Sequence, residues 1–252
     1  MNVVTLGPAG TYSHRAARAV AAEVSFRESV TAIVDAVEDG EFERGVVPIE
    51  NSIEGSVTES LDALADHDVA VTKEVVTPIR HALLAQWRTW LEKHHPDVGL
   101  EAVASTARGV ERAREDARIA GIGHPDNAGD DLEILAEGIQ DRTSNATRFL
   151  VVAPEHARSD AGGKTTLIVY PNDNYPGLLL ELLEAFADRN LNLSRIESRP
   201  SGERLGDYMF HFDVDAGLYE DHLAAAIEDI EAIAEKGWVR VLGSYDTEHV
   251  LE

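Results

Sequence analysis

Residues 2–13, Asn2-Val3-Val4-Thr5-Leu6-Gly7-Pro8-Ala9-Gly10-Thr11-Tyr12-Ser13, set the architecture. Asn2 to Leu6 read as a buried strand, Gly7 to Gly10 as a loop, and residues 13–24 as a helix capped by Thr11 or Ser13. A strand that hands over to a helix through a glycine turn is the repeating unit of an α/β fold, and the rhythm recurs downstream. Thr31 opens a helix with Ile33, Val34 and Val37 on one face; a strand follows over 45–49, a helix over 57–64 and a strand over 69–77. Further strands are expected over 81–85, 100–104, 118–122 and 149–152, with helices over 87–94 and 106–117 between them. The alternation predicts α/β architecture with largely parallel sheets.

Residues 154–163 hold Pro, Ser, Asp and a Gly pair but almost nothing to bury, and read as a linker. Beyond them lies a segment of about 80 residues, enough for a small module. It reads strand (165–170), helix (176–189), strand (191–199), strand (207–214), helix (219–236), strand (239–245), a β-α-β-β-α-β unit.

Composition narrows the partners. The 252 residues carry 46 Asp and Glu against 22 Lys and Arg, a formal charge of −24, with 44% apolar residues and no cysteine. The apolar share is sufficient for real cores. So acidic a surface repels phosphate backbones and anionic lipid, which argues against nucleic-acid and membrane partners. Without cysteine there is no disulfide, thiolate-held metal or thiol nucleophile. Lys73, Lys93, Lys164 and Lys236 are the only lysines, so arginine supplies the other basic residues. Many short carboxylates with arginine replacing lysine is the pattern of a halophile protein kept soluble in concentrated salt; an ordinary acidic protein is the alternative. Pro8, Gly10, Arg15 and Arg18 among the first twenty residues do not suit a signal peptide, and no apolar run approaches the roughly 20 residues of a membrane span. A cytoplasmic location is expected.

Four segments carry polar groups where chemistry needs them. Gly7 to Ser13 offers free backbone N–H groups at a helix start, with Gly10, Thr11 and Ser13 ready for a carboxylate or phosphate; it lacks a dinucleotide or P-loop fingerprint, which counts against NAD and ATP. Its plain alternative is a capped βα turn. Val47-Pro48-Ile49-Glu50-Asn51-Ser52 runs a strand straight into polar groups, at the strand edge where α/β sheets hold ligands; otherwise Asn51 or Ser52 merely caps the next helix and Glu50 is solvated. Ser144-Asn145-Ala146-Thr147-Arg148-Phe149 places a hydroxyl and a guanidinium ahead of an apolar strand, and Arg148 suits a bidentate carboxylate, unless it is a surface arginine. In the last module Gly177, Leu178 and Leu179 open a helix while Glu197, Ser198 and Arg199 close a strand at Pro200. These suit an amino-acid effector, or simply a helix start and an edge strand.

Taken in this order the segments resemble the prephenate dehydratase family over nearly the whole chain, and Glu197-Ser198-Arg199-Pro200 resembles the hallmark of the ACT regulatory domain. The resemblance implies a catalytic domain over 1–153 in two lobes like a periplasmic binding protein. The first lobe would hold 1–77 plus a returning segment, and the second about 78–140. A linker over 154–163 and an ACT domain over 164–252 would follow. It implies decarboxylating dehydration of prephenate to phenylpyruvate, without cofactor or metal, in a homodimer or homotetramer inhibited by phenylalanine. Thr147, Glu50, Asn51 and Gln86 are the implied catalytic residues, with Glu50 an alternative proton source if burial raises its pKa. Arg148, Phe149, Gly10, Thr11, Ser13 and Ser52 are the implied substrate contacts; Gly177, Leu178, Leu179, Glu197, Ser198 and Arg199 the effector contacts. The sequence departs from the family in one place. Ile79 to Leu83 match the front of one segment, and Leu84-Ala85-Gln86-Trp87-Arg88 match only the end of the next, so the piece between them, with its Ser, His and Pro, is absent. Two rival readings are a non-catalytic aromatic amino-acid sensor with the same fold and a nicotinamide-dependent enzyme acting on the same substrate.

Overall fold

A computed structural model describes residues 1–83, 97, 99–116, 119–140 and 144–250. The chain starts with β1 (Val3–Leu6), α1 (Tyr12–Val20), β2 (Val24–Arg27), α2 (Val30–Glu38), β3 (Arg44–Asn51), β4 (Gly55–Ser56), α3 (Thr58–Asp66) and β5 (Val69–Pro78). Helix α1 begins where the glycine turn predicts, with the Thr11 hydroxyl accepting from the His14 N–H. It ends at Val20, four residues before the expected limit, because Val24 and Phe26 belong to β2, which pairs with β1. Ser29 caps α2 in the same way as Thr11 caps α1.

Strand β6 (Ala146–Pro154) returns to this sheet and lies between β3 and β5, antiparallel to both. The seven-stranded sheet therefore runs β11-β5-β6-β3-β1-β2, with β4 paired to β3 and β11 (Thr247–His249) parallel to β5. The expectation of a largely parallel sheet fails at its centre. Residues 79–145 leave from the end of β5 and come back at the same edge of the sheet, so β6 has to run the opposite way.

That excursion is the stretch the resemblance assigns to a second lobe. Its described part contains α4 (Thr106–Glu115), capped by Ser105, and a 3-10 turn at Pro125–Ala128. Residues 100–104 and 119–122 form no strand; of the strand expected over 81–85, residues 81–83 hold a bridge between Ala82 and Gly123, and 84–85 lie outside the described residues. A Cβ on Gly121 would meet the Gly109 carbonyl oxygen at 2.4 Å, so this segment is packed flat on α4 rather than into a ladder. The helix expected over 87–94 and Gln86 lie outside the described residues.

After a 3-10 turn at Glu155–Ala157 come β7 (Lys164–Tyr170), α5 (Leu178–Ala187), β8 (Leu193–Pro200), β9 (Tyr208–Val214), α6 (Asp221–Ile233) and β10 (Trp238–Tyr245). The expected β-α-β-β-α-β order is present, in an antiparallel sheet β10-β7-β9-β8. One face of it packs on α5 and α6 through Leu167, Leu182, Phe186, Phe212 and Leu223. Ile168, Met209, Leu242 and Tyr245 share the core of α2, α3 and β3. This places the other face against the first lobe. The tail then crosses over, since β11 extends the seven-stranded sheet and not the sheet of its own module.

Candidate active site

The topology gathers the quoted segments at one edge of the seven-stranded sheet. Strands β1 and β3 are parallel and β6 is antiparallel, so the end of β1, the end of β3, the start of β6 and the end of β5 coincide. Across that edge Asn51 pairs with Thr147, and Thr147 with Thr77; the next row is Glu50, Arg148 and Val76. Consecutive residues in a strand face opposite ways, so these rows point to opposite faces.

On the face covered by α1, half-buried Asn51 donates from Nδ2 to Thr147 Oγ1 at 2.9 Å and to Asn145 Oδ1 at 3.0 Å. Its own Oδ1 accepts from the N–H groups of Ile53 (2.9 Å) and Glu54 (3.1 Å), which fixes the amide. A threonine hydroxyl that accepts from an amide keeps its proton for a second partner. Ser52 clamps the same turn, donating to the Ser144 carbonyl at 3.1 Å and accepting from the Ala146 N–H at 3.0 Å. Thr77, fully buried, has no hydrogen-bond partner for Oγ1 among the described residues. Nothing in the sequence singles it out, because only the β5–β6 register puts it beside Thr147. Phe149 is buried in the core under α1.

Gly10, Thr11 and Ser13 stand at the start of α1, facing the second lobe. Thr11 is occupied as the cap, and the Gly10 N–H donates to His14 Nδ1 at 3.0 Å. The Gly10 carbonyl accepts from Asn127 Nδ2 at 2.7 Å; with φ of +84° and Asn127 so close, a side chain has no place there. Tyr12 donates to the Arg80 carbonyl, and Arg15 pairs with Asp126. The Tyr12 ring lies edge-on to His81 and His124. Burial pushes the His81 pKa down to about 4, and burial followed by Arg15 lowers that of His124. His14 is lowered by burial and by Arg18 and Arg15.

Arg148 does not join Thr147. On the opposite face its Nη1 donates to Glu74 Oε2 at 2.7 Å and its Nη2 to Asp213 Oδ2 at 2.6 Å, while Nε lies 3.3 Å from Glu50 Oε2. Burial opposes its charge, yet Asp213 and Glu74 outweigh that and hold its pKa above the usual value. Glu50 is 40% exposed on the same side, so the burial that would make it a proton source is absent.

The expected effector residues divide in the same manner. Gly177, Leu178 and Leu179 line a groove with Asn174, Tyr175 and Phe210, and Ser198 is exposed. Glu197 and Arg199 instead turn toward the first lobe: Ser56 donates to Glu197 Oε2 at 2.8 Å, and Arg199 binds Asp62 through two bonds of 3.0 and 3.1 Å.

The profile of the prephenate dehydratase family matches residues 3–89 and 83–157, and that of the ACT domain residues 166–234. The chain belongs to the prephenate dehydratase family. The bifunctional chorismate mutase/prephenate dehydratase of Aquifex aeolicus is 35% identical, over 97% of this chain and 73% of that protein. The prephenate dehydratase of Lactococcus lactis is 33% identical over 97% of each. In structure, the Arthrobacter aurescens prephenate dehydratase in complex with L-Phe superposes with a TM-score of 0.86 at 32% identity, covering 98% of this chain and 90% of that one. The two family matches overlap over 83–89, where the sequence joins the front of one family segment to the end of the next. The mixed α/β catalytic fold with a C-terminal ACT domain is thus the fold of this family.

Proposed function

We propose that the chain converts prephenate to phenylpyruvate at the edge that holds Asn51 and Thr147, under feedback by phenylalanine. One proton is taken up by the departing ring hydroxyl, which leaves as water. The electron pair of the bond to the ring carboxylate moves into the ring, which becomes aromatic, and CO2 is released. The protein has to hold a dianion and deliver a proton at one oxygen.

The Asn51 to Thr147 hydrogen bond carries this reading. Asn51 occupies the acceptor side of the Thr147 hydroxyl, so its O–H is left to donate to the leaving oxygen. Thr147 is a donor or relay, with the proton drawn ultimately from solvent, and Glu50 and Arg148 support the strands from behind. The first-turn N–H groups of α1, beside Ser13, suit a substrate carboxylate. Gln86 is proposed as a further catalytic residue on the family resemblance alone. The test is incubation with prephenate and detection of phenylpyruvate by its ultraviolet absorbance in alkali; no product at any salt concentration would defeat the reading.

The groove at Gly177 to Leu179 is the proposed phenylalanine site. The exposed Leu179, Leu180, Ile196 and Tyr208 around it favour a second copy there, in a homodimer or homotetramer. Among the described residues no helix is long and apolar enough to cross a membrane, in keeping with a proposed cytoplasmic location. The arginine-rich, carboxylate-rich composition supports a halophilic origin. A melting series from low to molar KCl should show stability rising with salt, and an unchanged midpoint would remove that proposal.

A further inference from the structure

The ends of β3 and β6 that present Asn51 and Thr147 to the cleft are both held from behind by carboxylates of the regulatory sheet. Arg148, next to Thr147 in the chain, is bonded to Asp213 of β9. Ser56, which lies opposite Glu50 on β4, is bonded to Glu197 of β8. Glu50 is next to Asn51, so Thr147 has its chain neighbour bonded to the other domain, and Asn51 is held one step further off, through the residue opposite Glu50. Asp213 is fully buried and is fixed in turn by Thr166 Oγ1 at 2.6 Å, with Arg195 Nη1 at 3.8 Å. Glu74, the second partner of Arg148, is shared with Lys164 at the start of β7 (3.1 Å) and with Thr247 of the tail (2.8 Å). The first lobe supplies the catalytic groups, and the regulatory domain supplies much of what prevents their strands from shifting.

We infer that Asp213 and Glu197 are positioning residues for the dehydration: through Arg148 and Ser56 they hold the Asn51–Thr147 pair in register without touching substrate. This rests on the proposed role of Thr147. A small displacement of the regulatory sheet would then alter turnover from the side of the sheet that prephenate never meets.

The full-length enzyme decides it by a double-mutant comparison. Ser56→Ala, Glu197→Gln and Asp213→Asn are each made in the wild type and in Thr147→Val, and kcat and KM for prephenate are measured. In the wild type each should lower kcat by roughly 3- to 10-fold with KM within about 2-fold, and Ser56→Thr, which keeps the hydroxyl, should restore kcat. In Thr147→Val the same changes should leave the residual kcat unaltered, because the group they position is gone. Equal losses in both backgrounds, or unchanged kcat in the wild-type background, overturn the inference. If Thr147→Val itself turns over like wild type, the role of Thr147 fails first, a separate outcome. Should Asp213→Asn not fold, the half-exposed Ser56 and Glu197 variants decide the question alone.

Discussion

On the α1 side of the sheet Asn51 and Thr147 meet through a neutral hydrogen bond at the strand ends. One residue along each strand, on the other side, Arg148 sits among Glu74, Asp213 and Glu50. The first arrangement leaves a hydroxyl proton uncommitted, whereas the second leaves almost nothing uncommitted. Glu74 and Asp213 are 2% and 1% exposed, and for Asp213 the burial that would favour its neutral form is outweighed by Arg148 and Arg195, so its pKa lies below the ordinary value. The difference teaches that adjacent residues of one motif, Thr147 and Arg148, divide the labour by strand alternation. One face carries the proposed chemistry, and the other carries the charge cage.

Two substitutions break that division most directly. Thr147→Ala should lower kcat by about 10²- to 10⁴-fold, the range of a lost proton donor. Its stability should fall by only about 1 kcal/mol, since a half-buried neutral hydrogen bond is removed. Steady-state phenylpyruvate formation and urea unfolding measure the two, and near wild-type turnover would refute the donor role. Arg148→Met should invert the weights: kcat falls only by the roughly 3- to 10-fold expected of Asp213→Asn, and stability falls far more. The substitution removes the cation that Glu74 and Asp213 share, leaving them Lys164 and the more distant Arg195, at about 3 kcal/mol of stability. A urea midpoint equal to that of wild type would mean the cage is not what holds the two domains together.

The fold was legible in the sequence wherever the signal is local. Thr11 was one of two caps foreseen for α1, and the six elements of the last module stand in the expected order, because caps and apolar periodicity are written within a few residues. Strand direction is not local. The apolar run Phe149 to Val152 reads alike in a parallel or an antiparallel strand, and only the excursion through 79–145 decides. Which face a strand residue takes is equally hidden: irregularities in register between Pro48 and Glu50 and between Val71 and Lys73 reset the alternation. The motif around Thr147 thus named the right neighbourhood and did not tell that Arg148 faces away. Thr77 and Asp213 had no signal of their own, since their importance comes from strands far away in the chain.

A third effect tests both faces together. His81 lies at the cleft and His211 on the regulatory sheet facing the first lobe, each with its pKa pushed down to about 4, in both cases chiefly by burial. A histidine depressed in the folded state keeps its full contribution above the unfolded value near 6.5, and loses it as pH falls toward 4. Each can remove up to about 3 kcal/mol over that window. Asp213, held below the usual carboxylate range, keeps its contribution until the pH is lower still. Urea unfolding at pH 7, 5.5 and 4.5 should therefore show falling stability, less steeply in His211→Phe; a parallel slope in that variant would show that His211 is not held neutral.

The smallest contrast lies within the three residues of β11. Thr247, itself exposed, donates to the buried carboxylate of Glu74, while the adjacent Glu248 pairs with Lys73 at 2.5 Å, both about two-fifths exposed. Backbone pairing to β5 is common to both and cannot separate them. A hydrogen bond to a buried carboxylate is worth about 1.5–3 kcal/mol, and an exposed ion pair at most about 1, less in salt. Thr247→Val keeps the β-branched shape and removes only the hydroxyl, and Glu248→Gln keeps the shape and removes only the charge. Thr247→Val should thus be the more damaging at every KCl concentration. The cost of Glu248→Gln should vanish as the Debye length shrinks to about 3 Å at 1 M, while that of Thr247→Val persists, because solvent ions do not reach Glu74. Equal costs, or a Thr247→Val cost that salt erases, would place the tail outside the cage and leave Glu74 held by Arg148 and Lys164 alone.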